Sequence, residues 1–335
     1  MKELEYVVAE NPGAAVSAVT GNPQAQFLAG GSNLVDHLKL GVTSPDVLVD
    51  VSRLSLDAVE TVGGGLRIGA NVRNSDLAAH PVLRSRYPVV ARALLSGASG
   101  QIRHQATTAG NLLQGTRCVY FQDVSTPCNK REPGTGCSAI GGYGRYNAIL
   151  GASPECVAVH PSDVAVALAA VDATVVVLGP EGERRVAMAD FHRLPGDRPD
   201  LDTTLAHGEL VTAVELPDLP VARWSTYYKV RDRASYAFAL VSVAAALELE
   251  GDTVRDIRIA WGGVAHKPWR ATVAEQALLG ERFTRDLALE AAEQELSAAT
   301  TDEESGYKVP MVRNATAFVL EGLVGQSVAR EQGRG

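Results

Sequence analysis

Four cysteines, Cys118, Cys128, Cys137 and Cys156, lie within 39 consecutive positions, and none occurs elsewhere in the 335 residues. The spacings are nine, eight and eighteen intervening residues. This clustering constrains the fold more than any other feature, because small core cysteines would be scattered through the chain. The flanking sequences Pro127-Cys128 and Gly134-Thr135-Gly136-Cys137 form turns rather than core. The opening Met1-Lys2-Glu3-Leu4-Glu5-Tyr6 has neither a basic start nor an apolar run. No secretory leader is therefore expected, and the chain reads as cytoplasmic, or periplasmic only by co-export with a partner. In such a chain, clustered thiols point to a metal ion or cluster before disulfides. Zinc suits four thiolates, but its ligands usually come in pairs roughly two to four residues apart. A cubane iron–sulfur cluster takes one thiolate per iron and accepts wider spacing. Spacing thus favours the cluster over zinc, with two disulfides third.

Apolar residues make up 46% and charged residues 21%, the balance of a globular protein. The length exceeds one ordinary core, so two or three domains are expected. A formal net charge of −8 argues against a nucleic-acid partner, since no broad cationic face would meet the phosphates. No run of about 18 apolar residues is present to span a membrane. The 32 glycines, against six phenylalanines, suit tight turns and close backbone approach to a ligand.

Residues 25–29 form a short apolar run, broken by Gly30-Gly31-Ser32-Asn33. Residues 34–40 follow with helical spacing, closed by Gly41, and 46–51 read as the next strand. Strand, glycine turn, helix and strand make a small unit over 1–53. A second region, 54–219, holds a glycine turn at 63–65 leading into a strand. Helices follow at 75–79 and 88–95, then a helix capped by Pro161-Ser162-Asp163 and a strand over 173–178. From 220 the character changes: strands at 227–230, 238–249 and 254–261 precede helices at 271–279, 284–299 and 309–331. Strands followed by helices indicate a separate α+β unit over 220–335.

The Gly30-Gly31-Ser32-Asn33 turn lies between a strand and a helix, where backbone N–H groups receive a pyrophosphate and glycines let the anion approach. The competing reading is a plain tight turn. Thr107-Thr108-Ala109-Gly110-Asn111-Leu112 offers hydroxyls, a small turn and an amide for a second phosphate or a flavin edge. It follows Ile102-Arg103-His104, and Asp163 is available to accept from a ribityl or ribose hydroxyl. The order of these elements is more informative than any one of them.

The run Phe27-Leu28-Ala29-Gly30-Gly31-Ser32-Asn33-Leu34, then Ile102-Arg103, Thr108-Ala109-Gly110-Asn111 and Pro161-Ser162-Asp163, resembles the FAD-binding subunits of the xanthine dehydrogenase and carbon monoxide dehydrogenase family. Arg117-Cys118-Val119-Tyr120-Phe121, Pro127-Cys128-Asn129-Lys130-Arg131, Gly136-Cys137 and Glu155-Cys156-Val157-Ala158 resemble the branch with an inserted 4Fe–4S loop, at about 115–157. That branch includes flavin subunits of periplasmic aldehyde oxidoreductases and, more distantly, of 4-hydroxybenzoyl-CoA reductase. Tyr228-Lys229-Val230-Arg231-Asp232-Arg233-Ala234-Ser235 resembles the start of the family's C-terminal domain.

The resemblance covers nearly the whole chain. It implies a bipartite α+β FAD-binding domain followed by a smaller α+β C-terminal domain. FAD would lie between the subdomains, against Ala29, Gly30, Gly31, Ser32, Asn33, Leu34, Ile102, Thr107, Thr108, Gly110, Asn111, Asp163 and Lys229. A 4Fe–4S cluster would sit on Cys118, Cys128, Cys137 and Cys156. In the implied heterotrimer, a molybdopterin-binding large subunit oxidises an aldehyde or an aromatic or heteroaromatic substrate. A 2Fe–2S small subunit passes electrons to this chain, which delivers them to an external acceptor. No catalytic residue is implied here beyond Lys229 near the flavin. Two positions depart from the pattern: Ala109-Gly110-Asn111 stands where the family usually has Gly-Gly-Asn, and Gly115 stands where the branch commonly carries a basic residue.

Read from the residues alone, Lys229, Arg231 and Arg233 form a solvated basic strand, and His104 and His160 are hydrogen-bonded loop residues. Two other functional classes stay open. One is a stand-alone NAD(P)H-dependent flavin reductase, although no Gly-x-Gly-x-x-Gly turn followed by a ribose-binding acid is present. The other is a zinc-stapled assembly subunit without enzymatic activity.

Overall fold

A computed structural model describes residues 2–331. The first unit comprises β1 (Glu5–Val8), α1 (Pro12–Thr20), β2 (Ala25–Leu28), α2 (Leu34–Leu40) and β3 (Val47–Asp50). Its strands are all parallel, in the order β1-β3-β2. Asn11 caps α1 by accepting from the Ala14 N–H, with Pro12 at the first helical position. Gly41 ends α2 in the left-handed conformation, at φ 76°. The edge strand β1 and helix α1 add to the expected unit: β1 has no buried residue, so its sequence carries no apolar alternation.

The second unit comprises β4 (Val59–Val62), β5 (Gly65–Gly69), α3 (Asn74–Ala79), α4 (Pro81–Arg86), α5 (Pro88–Ser96), α6 (Gly100–Gln105), α7 (Thr108–Leu112), α8 (Val119–Gln122), α9 (Asp163–Ala170), β6 (Thr174–Gly179), β7 (Gly182–Ala187), α10 (Met188–Phe191) and β8 (Leu210–Leu216). Its antiparallel sheet runs β4-β5-β8-β6-β7. The central strand β8 escapes sequence reading because both its partners, β5 and β6, are distant in the chain. Polar β7 is an edge strand closing a tight hairpin on β6. Between α7 and α9, the cysteine-bearing stretch forms one short helix only, α8.

The third unit comprises β9 (Ser225–Val230), β10 (Val241–Glu250), β11 (Thr253–Gly262), β12 (Trp269–Arg270), α11 (Thr272–Leu278), α12 (Arg285–Glu295) and α13 (Lys308–Glu331). The sheet order is β12-β11-β10-β9, antiparallel throughout. The expected strand from Phe238 begins instead at Val241. Tyr236 takes a positive φ of 52° and Phe238 is exposed, so the ladder closes only at the Leu240 N–H to Val230 carbonyl bond. The expected helix over 284–299 gives way after Glu295 to a short 3-10 turn, Leu296–Ala298.

Both faces of this last sheet are covered. Val241, Val243, Ala245 and Leu247 face the C-terminal helices, while Ala244 and Ala260 join the core of the second unit. There α9, apolar on every side, is buried along its length after Asp163. Small side chains on the β10 and β11 faces let α9 approach. A Cβ on Gly262 would lie 2.6 Å from Val166 Cγ2. Among the described residues, no helix is long and apolar enough to cross a membrane.

Lys308, at the start of α13, is fully buried, and its Nζ donates to the carbonyls of Asn147 and Gly263, each at 2.8 Å. Burial lowers its pKa to about 7, and two carbonyl acceptors match the two N–H donors of a neutral amine. The unfolded chain holds this proton up to the ordinary lysine range, near 10.4, and the folded chain releases it near 7. Unfolding then takes up a proton between those values, and the lysine's contribution to stability rises with pH across that window. Below about pH 7 both states are protonated and the penalty is constant. Denaturant titrations from pH 7 to 10 should show this rise in the wild type, and Lys308→Met should flatten it.

Candidate functional site

Where the three units meet lies a cavity of about 690 Å³, within the roughly 300–1,000 Å³ typical of small-molecule sites. The first unit contributes Ser32, Asn33 and Asp36, and the second Ile102, Gly110, Asn111 and Asp163. Lys229, Phe238 and Gly263 come from the third.

The turn before α2 is built around two glycines with different tasks. Gly31 sits at φ 70°, a conformation that a side chain strains. Gly30 packs against another piece of backbone: an added Cβ would collide with the carbonyl oxygen of Gln105. Glycine at position 30 therefore has a packing cause of its own. It makes room for the end of α6, and so seals the first unit against the second. Asn33 Oδ1 accepts from the Gly115 N–H at 2.8 Å, tying this turn to the segment that leads into Cys118. The glycine at 115 has its own cause, since a Cβ there would stand 2.7 Å from His37 Cε1.

The second glycine segment also differs from expectation. Thr107 Oγ1 accepts from the Gly110 N–H and caps α7, while Thr108 Oγ1 donates to the Val72 carbonyl. Both residues are buried, and their hydroxyls serve the fold rather than the cavity. Ala109 lies inside α7 and is not among the residues of positive φ, so its methyl group strains nothing. Asn111 Oδ1 accepts from Ser162 Oγ and from Gln114 Nε2. Among the described residues its Nδ2 has no partner, which leaves that amide edge as a donor at the wall. Of the sequence-derived residues, Ser32, Asn33, Ile102, Gly110, Asn111, Asp163 and Lys229 line the cavity. Ala29, Gly30, Gly31, Leu34, Thr107 and Thr108 are not among its lining residues.

Lys229 is not on a solvated face. Its side chain is 3% exposed and its Nζ meets Asp163 Oδ2 at 2.8 Å. The other oxygen, Oδ1, accepts from the Tyr227 hydroxyl at 2.6 Å, and burial, then the Asp163 charge, raises that phenol's pKa well above its ordinary value. Both carboxylate oxygens are therefore engaged by the fold, and Asp163 is less free for a ligand hydroxyl than expected. Arg231 donates to the Ser96 carbonyl and Arg233 to that of Tyr236.

The four cysteines are all unpaired thiols and line one small recess, together with Lys130 and apolar side chains such as Phe121 and Pro127. The recess shares Thr116, Cys118, Tyr120 and Ala158 with the large cavity. Burial raises the thiol of Cys118 and pushes that of Cys156 up to about 12. Among the described residues, no three His, Cys, Asp or Glu side chains gather around a single-ion site. The donor set of four thiols, with no carboxylate on the recess wall, suits a group that takes its thiolates at separated points, as an iron–sulfur cubane does.

Sequence reasoning missed the polar group behind the recess. Lys130, 3% exposed in its side chain, contacts Asp202, the Pro199 carbonyl at 2.8 Å and His266 Nε2 at 3.0 Å. Burial pushes the Asp202 carboxyl up, but the hydrogen bonds from His266 and Lys130 and the Lys130 charge outweigh it and hold the group well below the usual range. His160 stacks on His192 with ring centroids 4.2 Å apart. Burial lowers both imidazole pKa values, that of His192 to about 4. His160 Nε2 is buried with no hydrogen-bond partner, contrary to the expectation of a bonded loop histidine, whereas His104 is exposed on α6. Only the adjacency of Lys130 to Cys128 hinted at this group in the sequence.

Residues 2–219 match the family described as the FAD binding domain in molybdopterin dehydrogenase. Residues 226–320 match the carbon monoxide dehydrogenase flavoprotein C-terminal domain. The chain is 53% identical over 323 residues to the aldehyde oxidoreductase FAD-binding subunit PaoB of Escherichia coli, covering 96% of this chain and 98% of that protein. It is 32% identical to the glyceraldehyde dehydrogenase medium chain of Sulfolobus acidocaldarius, covering 85% and 84%. Among solved structures, a carbon monoxide dehydrogenase from Hydrogenophaga pseudoflava superposes with a TM-score of 0.76 at 24% identity, covering 97% of this chain and 98% of that one. That likeness speaks to fold.

Removing Lys229 leaves a buried carboxylate with only the Tyr227 hydroxyl. Lys229→Met should destabilise the chain by about 3–5 kcal/mol in urea unfolding. Adding Asp163→Asn should recover part of the loss by removing the stranded charge; a double variant no more stable than the single would contradict this reading of the pair.

Proposed function

This chain belongs to the FAD-binding medium subunits of the molybdenum hydroxylases, and from that membership we propose that it is the electron-transfer subunit of an aldehyde-oxidising complex, carrying FAD in the large cavity and a 4Fe–4S cluster on its four cysteines. In this reading, a molybdopterin-binding large subunit oxidises the aldehyde. A 2Fe–2S small subunit passes the electrons to this chain, which delivers them to an external acceptor. The observation that carries the proposal is the common wall: Thr116, Cys118, Tyr120 and Ala158 border both the cysteine recess and the cavity. Two redox groups in these places would be near neighbours.

FAD, when bound, supplies two-electron redox chemistry. The chain's own part is to hold and orient it. Ser32, Asn33 and Asn111 offer polar groups at the wall, while Ile102 and Gly110 shape it. The Asp163–Lys229 pair presents a locally neutral patch instead of a lone charge. In the recess, burial raises the thiols of Cys118 and Cys156, so a cationic cluster bound there would displace their protons, and its assembly would be coupled to ordering of the loop.

The purified chain, handled anaerobically, should show flavin absorption and hold about four irons and four acid-labile sulfides. One zinc per chain without sulfide would overturn the cluster, and absence of flavin would overturn the FAD assignment. Aldehyde should reduce the flavin only when the two partner subunits are present. Rapid reduction of the isolated chain by NADH would favour a stand-alone reductase instead.

The turn at Gly31 gives a local test. Gly31→Val places a β-branched residue at φ 70°, at a cost of about 1–3 kcal/mol. The variant should fold yet lose most of its FAD, as read by flavin absorbance per chain. Full occupancy would remove this turn from the phosphate site.

A further inference from the structure

The cavity wall carries seven formal charges: Arg103, Arg117, Lys229 and Arg233 against Asp36, Asp163 and Asp232. Most of these are already engaged within the protein. Lys229 is neutralised by Asp163, and Asp232 by Arg145. Arg103 donates to the Gly97 carbonyl and Arg233 to that of Tyr236. The exposed Asp36 and the half-buried Arg117 are the exceptions, and Arg117 is the exception among the four cations. Among the described residues it makes neither an ion pair nor a hydrogen bond, and its one recorded contact is with the Phe238 ring, 5.1 Å from guanidinium carbon to centroid. A half-buried guanidinium with unspent donors is costly unless an anion completes it. The nearby carboxylate of Asp36 stays beyond ion-pair distance.

Its position is set from the glycine turn. Asn33 holds Gly115 two residues upstream, and Asp36 lies in the first turn of α2. Arg117 thus stands at the end of the cavity where Ser32 and Asn33 form the wall. Resting on the FAD reading above, we infer that Arg117 is a cofactor-binding residue whose guanidinium takes the pyrophosphate of FAD beside the Gly30–Asn33 turn. The pyrophosphate carries the full negative charges of oxidised FAD, and the planar fork of arginine matches two phosphate oxygens at once. The guanidinium carbon lies over the Phe238 ring, and among the described residues its N–H groups have no acceptor. Arg117 also precedes Cys118 directly, so the same residue couples the cavity to the cysteine loop.

The test uses the full chain, stripped of flavin and titrated with FAD, ADP and riboflavin. Arg117→Met should weaken FAD at least about tenfold, the size expected for losing a charge-assisted contact. ADP, which keeps the pyrophosphate, should weaken by a similar factor, and riboflavin, which lacks it, should bind as to wild type. Arg117→Lys should recover part of the loss by restoring charge without the fork. Iron content of both variants should match wild type, which shows that the loop remains folded. Unchanged FAD and ADP affinity would overturn the inference. So would equal losses for ADP and riboflavin, since these report a disturbed cavity, or a loss confined to riboflavin, which would place Arg117 at the isoalloxazine. If wild type itself binds no FAD, the FAD reading fails first, and that result is separate from any effect of the variants.

Discussion

The carboxylate of Asp163, at the first residue of α9, meets the Lys229 ammonium of β9 and the Tyr227 hydroxyl two residues before it. This contact joins the second unit to the third at the floor of the cavity. Taking two charges out of water costs several kcal/mol per ion, and their attraction repays it only with good geometry and further hydrogen bonds. Here the remaining oxygen is satisfied by tyrosine, and Lys229 also reaches the Ser96 carbonyl at 3.3 Å. Once the pair forms, α9 is seated against β10 and β11, whose alanines and Gly262 allow the close fit. Asp163, at the start of α9, thus serves both the packing of that helix and the cavity wall.

The cysteine loop is stabilised differently. Its Ile149 and Leu150 are fully buried in the core of the third unit, and around the cysteines polar side chains bonded to backbone hold it. Asn129 Oδ1 accepts from the N–H groups of Gly134 and Gly136, and its amide reaches Glu155. Arg131 donates to the carbonyls of Tyr120 and Phe121, and Lys130 anchors the loop to Pro199 of the same unit and to His266 of the third. Loops of this length are poor at positioning side chains unless cross-linked. These hydrogen bonds supply that cross-linking and bring the four thiols to one recess.

The elements that show period and punctuation were legible in the sequence. Strand, glycine turn and helix from Ala25 to Leu40 follow from an apolar run, Gly30-Gly31 and helical spacing, because those signals are local. The same holds for α9 behind its Ser162 cap and for the long helix α13. Strand β8 was not legible, since its two partners lie far away in the chain, and β1 was not, since it is an exposed edge. Strand β10 was found but begun too early, because the apolar Phe238 lies on the cavity side of a backbone that turns at Tyr236.

The site divides in the same way. Sequence alone determined that four thiols would be held by one loop, that glycine turns would lie at the ends of strands, and that the chain resembles flavin subunits; residue identity and spacing carry all three. It could not assign tasks to individual atoms. Gly30 proves to be needed for the Gln105 carbonyl, Thr107 and Thr108 for caps and backbone, and Lys229 for Asp163. Arg117, unremarkable in the sequence, is the one cation of the cavity wall with no ion pair or hydrogen bond among the described residues. Those assignments depend on which groups find partners across units far apart in the chain, and a buried polar atom takes the partner that packing brings near it. Only the tertiary structure decides that.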